Sequence, residues 1–184
     1  YLEGVSRDRG TGITAQTLME AAGAGRGGEL IVVADHLEIH GAAQISTSSG
    51  GSGDAGRVSV TAGRILVDGR GLANVAGFPP QTRLATDDAR GGDIRVSADS
   101  LEIRAGGQIS ATSASQGDAG NLRIRVRDRL VLHDSAVTAE AEQSGGGSVT
   151  IDALGTVTLM GSTITTSVVG GDRNAGNITI TDPA

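Results

Sequence analysis

The residues most able to do chemistry in this 184-residue sequence are arginines that alternate along one short stretch. A guanidinium group binds carboxylate, sulfate or phosphate through several N–H donors at once. These arginines alternate with Leu122, Ile124 and Val126, so a strand here would point all of them outward. A solvated strand face, balanced by Asp99 and Glu102, is the alternative to a polyanion-binding stripe. The predicted stripe consists of Arg123, Arg125, Arg127 and Arg129, together with Arg95 one repeat earlier.

A second candidate is a loop that carries the only Phe and two of the three Pro residues of the chain. An aromatic side chain on a stiff turn offers contact area at low entropic cost, which favours a partner contact. The alternative is that the phenyl ring folds back over the body of the protein. Two adjacent acids in the same loop could contact a partner or a cation. The loop residues concerned are Phe78, Pro79, Pro80, Asp87 and Asp88.

The sequence nominates no catalytic, metal or cofactor site. His36, His40 and His133 each lack a second ligand at metal spacing, so surface histidines are the expectation. Gly50 to Asp54 resembles a calcium-binding glycine–aspartate repeat but lacks one residue of it. We therefore interpret Asp54, and likewise Asp118 and Asp172, as turn residues that tolerate the left-handed backbone.

Composition and charge exclude several classes of protein. The net charge is −6 and every one of the fifteen basic residues is Arg, which argues against nucleic-acid binding because a basic footprint is missing. The absence of Cys excludes disulfides and thiolate metal sites. No apolar run is long enough to span a bilayer. With two aromatic residues in total, a core must be built from aliphatic side chains.

A turn followed by an apolar–polar–apolar strand recurs along the chain. The clearest copies follow Gly117-Asp118-Ala119-Gly120 and Asn174-Ala175-Gly176. The first apolar residues of the units are 30, 58, 94, 122, 149 and 178, which gives spacings of 28, 36, 28, 27 and 29. A near-constant period of this length is typical of a solenoid. The longer second unit indicates an insertion of about eight residues.

These units predict an all-β fold, a right-handed parallel β-helix with three short strands per coil and about 28 residues per coil. Residues 1–28 are expected to form a partial coil and a loop, and residues 29–184 the repeats, with the inserted loop near 76–91. Leu101 and Ile103 should stack on Leu130 and Leu132. In the same way, Ile94, Val96 and Ala98 should stack on Leu122, Ile124 and Val126.

The repeats resemble the haemagglutinin-like repeats of filamentous bacterial exoproteins exported by two-partner secretion. The residues that carry the resemblance are the Gly-Asn-Leu-Arg-Ile and Gly-Asn-Ile-Thr-Ile strands, and the Gln-Ile-Ser elements at 44–46 and 108–110. The resemblance implies a right-handed β-helical shaft, an extracellular or cell-surface location, and a role in adhesion or matrix structure. The Asn-Pro motifs of the family's secretion domain have no counterpart here.

We therefore expect a non-catalytic segment of a longer structural or adhesive shaft. Its expected partners are surface glycans, matrix proteins, or further copies through end-to-end or lateral association. A polyanion- or glycan-binding module is the alternative. A polysaccharide-degrading β-helix is disfavoured because no acid cluster lines up between repeats. An ice-binding solenoid is disfavoured because the second repeat should interrupt the hydroxyl column of Ser46, Ser110, Thr138 and Thr165.

Overall fold

A computed structural model describes residues 2–3, 12–17, 25–49, 53–70, 89–114, 116–170 and 173–181. These residues contain thirteen β-strands and no helix. The predicted partner-contact residues Phe78, Pro79, Pro80, Asp87 and Asp88 lie outside the described residues, as does most of the expected inserted loop.

The strands form two parallel sheets. Sheet A has the order β1-β3-β5-β6-β8-β10-β13, with β11 also paired to β8. Sheet B has the order β12-β9-β7-β4-β2. Sheet A contains β1 (Leu2–Glu3), β3 (Glu29–His40), β5 (Arg57–Asp68), β6 (Ile94–Arg104), β8 (Leu122–His133), β10 (Val149–Ala153), β11 (Thr156–Met160) and β13 (Ile178–Thr181). Sheet B contains β2 (Gly12–Thr17), β4 (Gln44–Ser49), β7 (Gln108–Ser113), β9 (Ala136–Ala141) and β12 (Thr163–Val168).

The chain is a parallel β-helix, and we number its coils 1 to 6 from β3, β5, β6, β8, β10 and β13. Each strand of sheet A pairs in register with the next coil at the spacing that the repeats predicted, as in Leu30 with Val58 and Val58 with Ile94. The predicted stacks of Ile94 on Leu122 and of Leu101 on Leu130 are confirmed. Right-handed coiling remains the expectation from the general preference of parallel crossovers.

The core is a prism of stacked aliphatic side chains. Inward residues of sheet A such as Val60, Val96 and Ile151 are buried, as are Ile45 and Ile109 of sheet B. Like residues lie over like residues, so the columns fill the interior without aromatic rings. Burial of these columns is the main term that stabilises the stack.

The first two expected strands of a coil run on as one long strand in coils 1 to 4. Only coil 5 separates them, as β10 and β11. The long strand bends near its middle, where Arg127 and Asp128 of β8 lie opposite the single residue Asp99 of β6. An extra residue on one strand is a β-bulge, which bends and twists the strand locally.

Coil 2 contributes no described strand to sheet B. Strand β4 of coil 1 pairs directly with β7 of coil 3 along their whole length, from Gln44 with Gln108 to Ser49 with Ser113. Residues 72–75, where a third strand of this coil was expected, lie outside the described residues. Across these coils sheet B therefore has one described strand fewer than sheet A.

The expected break in the hydroxyl column is wrong for the same reason. Because β4 and β7 are neighbours, Ser46 lies directly beside Ser110. The column is continuous across all five strands of sheet B. Its members are Thr14, Ser46, Ser110, Thr138 and Thr165. It is not evenly exposed, however, since Ser46 is only 5% exposed.

A column of glycines forms the corner between sheet B and the next coil. A Cβ atom added at any one of them would lie under 3.0 Å from the carbonyl oxygen of the glycine one coil earlier. Real Cβ atoms essentially never approach backbone that closely. Only glycine therefore allows the backbones to stack at this corner. The glycines that meet a carbonyl in this way are Gly56, Gly92, Gly120, Gly147 and Gly176, and the column begins at Gly28.

Acidic and amide side chains at the same corner accept hydrogen bonds from the next coil. Asp54 Oδ1 accepts from the Arg90 amide at 2.9 Å, and Asp118 Oδ1 accepts from the Gly145 amide at 2.9 Å. The expected left-handed backbone at Asp54 and Asp118 is wrong, because neither residue has a positive φ. Asp172 lies outside the described residues. These side chains bridge coils rather than permit a turn.

Left-handed residues occur instead at the opposite corner, between sheet A and sheet B. They include Ala42 and Ala105, both with φ of 50°, and Asp134 with φ of 47°. A non-glycine residue in this region is strained by contact of its Cβ atom. The alanine side chain is small, and each alanine adjoins a glycine that also has a positive φ, Gly41 beside Ala42 and Gly106 beside Ala105.

Cysteine pairs test the direct pairing of β4 with β7, since the chain has no cysteine of its own. Ser48 and Thr112 are register partners on these strands. We expect Ser48→Cys with Thr112→Cys to form a disulfide under mild oxidation, because bridged Cα atoms are usually about 4.4–6.8 Å apart. A non-reducing gel would show the cross-linked band.

The matched control is Ser48→Cys with Glu140→Cys, in which β7 lies between the two thiols. Their Cα atoms are two strand spacings apart, about 9.6 Å, and should stay reduced. Equal cross-linking in the two variants, or none in either, would contradict the direct pairing.

Candidate functional site

The predicted arginine stripe lies on the outer face of sheet A. Arg123, Arg125, Arg127 and Arg129 are all exposed, while the residues between them are buried up to the bulge. Arg95 is the register partner of Arg123 one coil earlier, as predicted. The structure therefore brings the five arginines to one face.

Three of the five arginines are held by aspartates. Asp152 Oδ2 of coil 5 lies 3.0 Å from Arg123 Nη2 and 3.3 Å from Arg125 Nε. Asp99 Oδ1 of coil 3 lies 3.2 Å from Arg127 Nη1. Arg95 and Arg129 make no ion pair with any residue that the structure describes. The stripe is therefore partly neutralised, and only part of its charge is available to a ligand.

Sequence reasoning expected Glu102 to balance the stripe, and this expectation is wrong. Glu102 Oε1 instead accepts from Arg104 Nη1 at 2.9 Å, beyond the bend of sheet A. The residue that sequence reasoning missed is Asp152. Its position, 27 residues after Arg125, is the signal that could have found it, since one coil spans that distance.

The carboxylate of Asp152 stays ionised in this setting. The hydroxyl of Thr181 donates to Asp152 Oδ1 at 2.9 Å, and this hydrogen bond is the largest cause that lowers the pKa of Asp152. Burial acts in the opposite direction, and the hydrogen bonds from Arg123 and Arg125 lower the pKa further. Asp152 is therefore ionised at neutral pH, and its charge keeps the two arginines in place.

The stripe borders a groove of about 960 Å³ that runs along the stack. It follows one outward column through five consecutive strands, from coil 2 to coil 6. The second wall of the groove contains Asp99, Arg127 and Leu154. The column consists of Thr61, Ser97, Arg125, Asp152 and Thr181. The bulge in β8 produces the concave bend of sheet A in which this groove lies.

A second charged cluster surrounds the carboxylate of Asp68, at the end of β5. Its side chain is 1% exposed, and its Oδ2 atom lies 2.9 Å from Arg104 Nη2. Arg70 donates to both carboxylate oxygens, with its Nε atom 3.0 Å from Oδ1. His40 Nδ1 is 3.9 Å from Oδ2. Sequence reasoning did not single out this cluster, because an isolated Asp before Gly is typical of an exposed turn.

Hydrogen bonding outweighs burial at Asp68. Burial raises the pKa of the Asp68 carboxyl, but the hydrogen bonds from Arg70 and Arg104 more than offset it and hold the pKa far below its usual range. The cluster links three consecutive coils through His40, Asp68 and Arg104, which are register partners. It lies where coil 2 leaves sheet A, so its role is to fix that corner.

The corner aspartate Asp118 is held by donors from Ser144 and Gly145. Asp118 accepts from the Ser144 hydroxyl at 2.6 Å, which lowers the pKa of Asp118 most; burial raises it, and the Gly145 amide, Arg173 and Arg90 lower it further. Its Oδ1 atom thus accepts from two donors, with cationic side chains near. Among the described residues no group of three or more His, Asp or Glu side chains is arranged to hold a metal ion.

Two of the three histidines, His40 and His133, lie beside acids. His40 Nε2 is 3.2 Å from Glu38 Oε2, and His133 Nδ1 is 3.3 Å from Asp134 Oδ2. Ordinary surface contacts of this kind supply no nucleophile or paired base. In the ranges described above, no helix is long and apolar enough to cross a membrane.

Comparison of the chain with protein-family models, curated proteins and solved structures gave no match. The resemblance to filamentous haemagglutinin-like repeats therefore remains an expectation carried by the repeat motif.

Removal of the Asp68 charge should destabilise the fold. Asp68→Asn leaves Arg70 and Arg104 facing a neutral amide, and we expect the free energy of unfolding to fall by about 2 kcal/mol. Urea unfolding followed by circular dichroism measures it. Asp99→Asn is the matched control, since its ion pair with Arg127 is exposed and worth at most about 1 kcal/mol.

The Asp68 effect should depend on pH. Because the folded-state pKa is lowered, the contribution is complete above the unfolded-state pKa of about 3.9 and is lost as pH falls toward the folded-state value. The difference between the natural chain and Asp68→Asn should therefore shrink below about pH 4. A difference that stays constant from pH 7 to pH 3 would contradict this assignment.

Proposed function

We propose that this chain is a non-catalytic segment of the shaft of a large secreted or cell-surface bacterial filamentous protein, with a structural or adhesive role. The observation that carries the proposal is the continuous parallel pairing of sheet A through six coils. A stack in which each coil contacts its neighbours extends in one dimension and repeats its surface. Such a rod separates or connects objects by its length.

The chemistry of the exterior supports a rod more than an enzyme. The groove holds two carboxylates, Asp99 and Asp152, and glycoside cleavage by a carboxylate pair needs one acid whose pKa is raised. The pKa of Asp152 is lowered instead. Both carboxylates are also engaged by arginines, so neither is placed to deliver a proton.

The cell-surface part of the proposal is tested with antibodies raised against the purified chain. We expect them to label intact cells of the bacterium that produces the protein, because an exported shaft is accessible without permeabilisation. Immunogold electron microscopy of intact and permeabilised cells makes the comparison. Labelling that requires permeabilisation would contradict an extracellular shaft.

A companion assay addresses catalysis with the same preparation. Incubated with a panel of polysaccharides, the chain should release neither reducing ends nor unsaturated sugars. If the chain releases such sugars and Asp152→Asn abolishes the release, the result would contradict a non-catalytic rod and favour the polysaccharide-degrading alternative.

A further inference from the structure

The groove on sheet A is long enough to hold several units of an extended linear polymer. Its column of outward residues crosses five strands, so its ends, Thr61 and Thr181, are four strand spacings apart, about 19 Å. It is open to solvent and runs parallel to the stack. A compact ligand would fill only part of it, whereas a linear chain would contact every coil.

The lining of the groove changes in character from coil to coil. Coil 4 supplies two arginines, Arg125 and Arg127, while coils 2 and 6 supply the hydroxyls of Thr61 and Thr181. The intervening coils 3 and 5 supply the carboxylates Asp99 and Asp152. Along the groove, the positive charge is therefore confined to coil 4, and the neighbouring coils 3 and 5 each present a carboxylate that can accept hydrogen bonds.

Arg125 and Arg127 are each fixed by an aspartate, yet both keep N–H donors that face solvent. The side chain of Arg125 is 60% exposed and that of Arg127 is 76% exposed. Each guanidinium carries five N–H donors and gives an aspartate a single close contact. The aspartates thus fix the guanidinium planes while outward N–H groups remain for a ligand carboxylate, which a guanidinium binds in a planar, two-point manner.

The surrounding charge favours a sparsely charged ligand. The outer face of coils 3 to 5, from the start of each strand to Arg129 just past the bulge, carries five arginines and three aspartates, Asp99, Asp128 and Asp152, on a chain of net charge −6. This surplus attracts an anion. A ligand charged at every unit, however, would place carboxylates against Asp99 and Asp152, where like charges repel.

We propose that the groove binds a linear, unsulfated polysaccharide in which a carboxylate-bearing sugar alternates with a neutral one. One extended sugar unit is about as long as one strand spacing, about 5 Å, so successive units match successive coils. The carboxylate lies on Arg125 and Arg127. The neutral units on either side donate hydroxyl groups to Asp99 and Asp152, and the hydroxyls of Thr61 and Thr181 meet the units beyond. The proposal deepens the proposed function and rests on it, since an exported shaft is where a matrix polysaccharide is met.

A hyaluronan decasaccharide is the probe, because its carboxylates occur on every second sugar. Isothermal titration calorimetry compares it with an oligogalacturonate of equal length, which has a carboxylate on every sugar, and with a neutral dextran oligosaccharide. We expect hyaluronan to bind at least about tenfold more tightly than either. Arg125→Gln with Arg127→Gln should weaken hyaluronan binding at least about tenfold, through loss of the charged hydrogen bonds.

Arg129→Gln is the matched control, since Arg129 belongs to the same strand but does not line the groove. It should change the hyaluronan affinity less than about twofold. Equal losses in the two variants would indicate diffuse attraction and overturn the proposal. So would oligogalacturonate or dextran binding as tightly as hyaluronan, or no binding of hyaluronan at all.

The failure of this proposal can be told from a failure of the proposed function. Circular dichroism and thermal unfolding of each variant show whether the rod is intact. If the protein is folded and located at the cell surface but does not bind hyaluronan, only the proposed ligand is contradicted. Cleavage of the probe during titration, detected as new reducing ends, overturns the non-catalytic shaft.

Discussion

The whole structure depends on how closely the backbones of successive coils approach at the glycine corner. There the carbonyl oxygen of one glycine occupies the space that a side chain on the next would need. This contact explains why a turn that ends in glycine recurs in the sequence. It also fixes the height of each coil on the one below, because the chain enters sheet A directly from this corner. Register in the long sheet follows from it.

Threonine hydroxyls of sheet B stabilise the glycine corner from its inner side through hydrogen bonds. The hydroxyl of Thr47 donates to the carbonyl of Gly92, and the hydroxyl of Thr166 donates to the carbonyl of Gly176 at 2.7 Å. Asp54 and Asp118 bridge coils on the outer side. Backbone carbonyls that the close stacking would otherwise leave buried without a donor are thereby satisfied. The glycine corner sets the register of sheet A, and this register aligns the five outward residues that form the column along the groove.

Much of the fold can be predicted because the sequence shows two clear periods, one within each strand and one between coils. The two-residue alternation assigns Ile124 inward and Arg125 outward, and the 28-residue period places Leu101 on Leu130. What could not be predicted depends on contacts between particular side chains or on a local departure from the period. Asp152 holds Arg123 and Arg125 because it is the register partner of Arg125 on the next coil, and the identity of that partner is not fixed by either period. The direct pairing of β4 with β7 arises where the insertion disturbs the period. Asp68 is enclosed not only by the neighbouring Arg70 but also by Arg104 of the next coil, a contact that the local sequence does not predict.

The most direct test of this account compares alanine at two positions of the same glycine column. At Gly120 a Cβ would meet the Gly92 carbonyl, whereas at Gly28 it would meet nothing within 4 Å. The account predicts that Gly120→Ala lowers the free energy of unfolding by at least about 2 kcal/mol, as overpacking against rigid backbone does. Gly28→Ala should leave the stability unchanged or raise it by about 0.5 kcal/mol, through the smaller conformational freedom of the unfolded chain. If urea unfolding gave the two variants equal stability, the close stacking of the corner could not be what holds the coils in register.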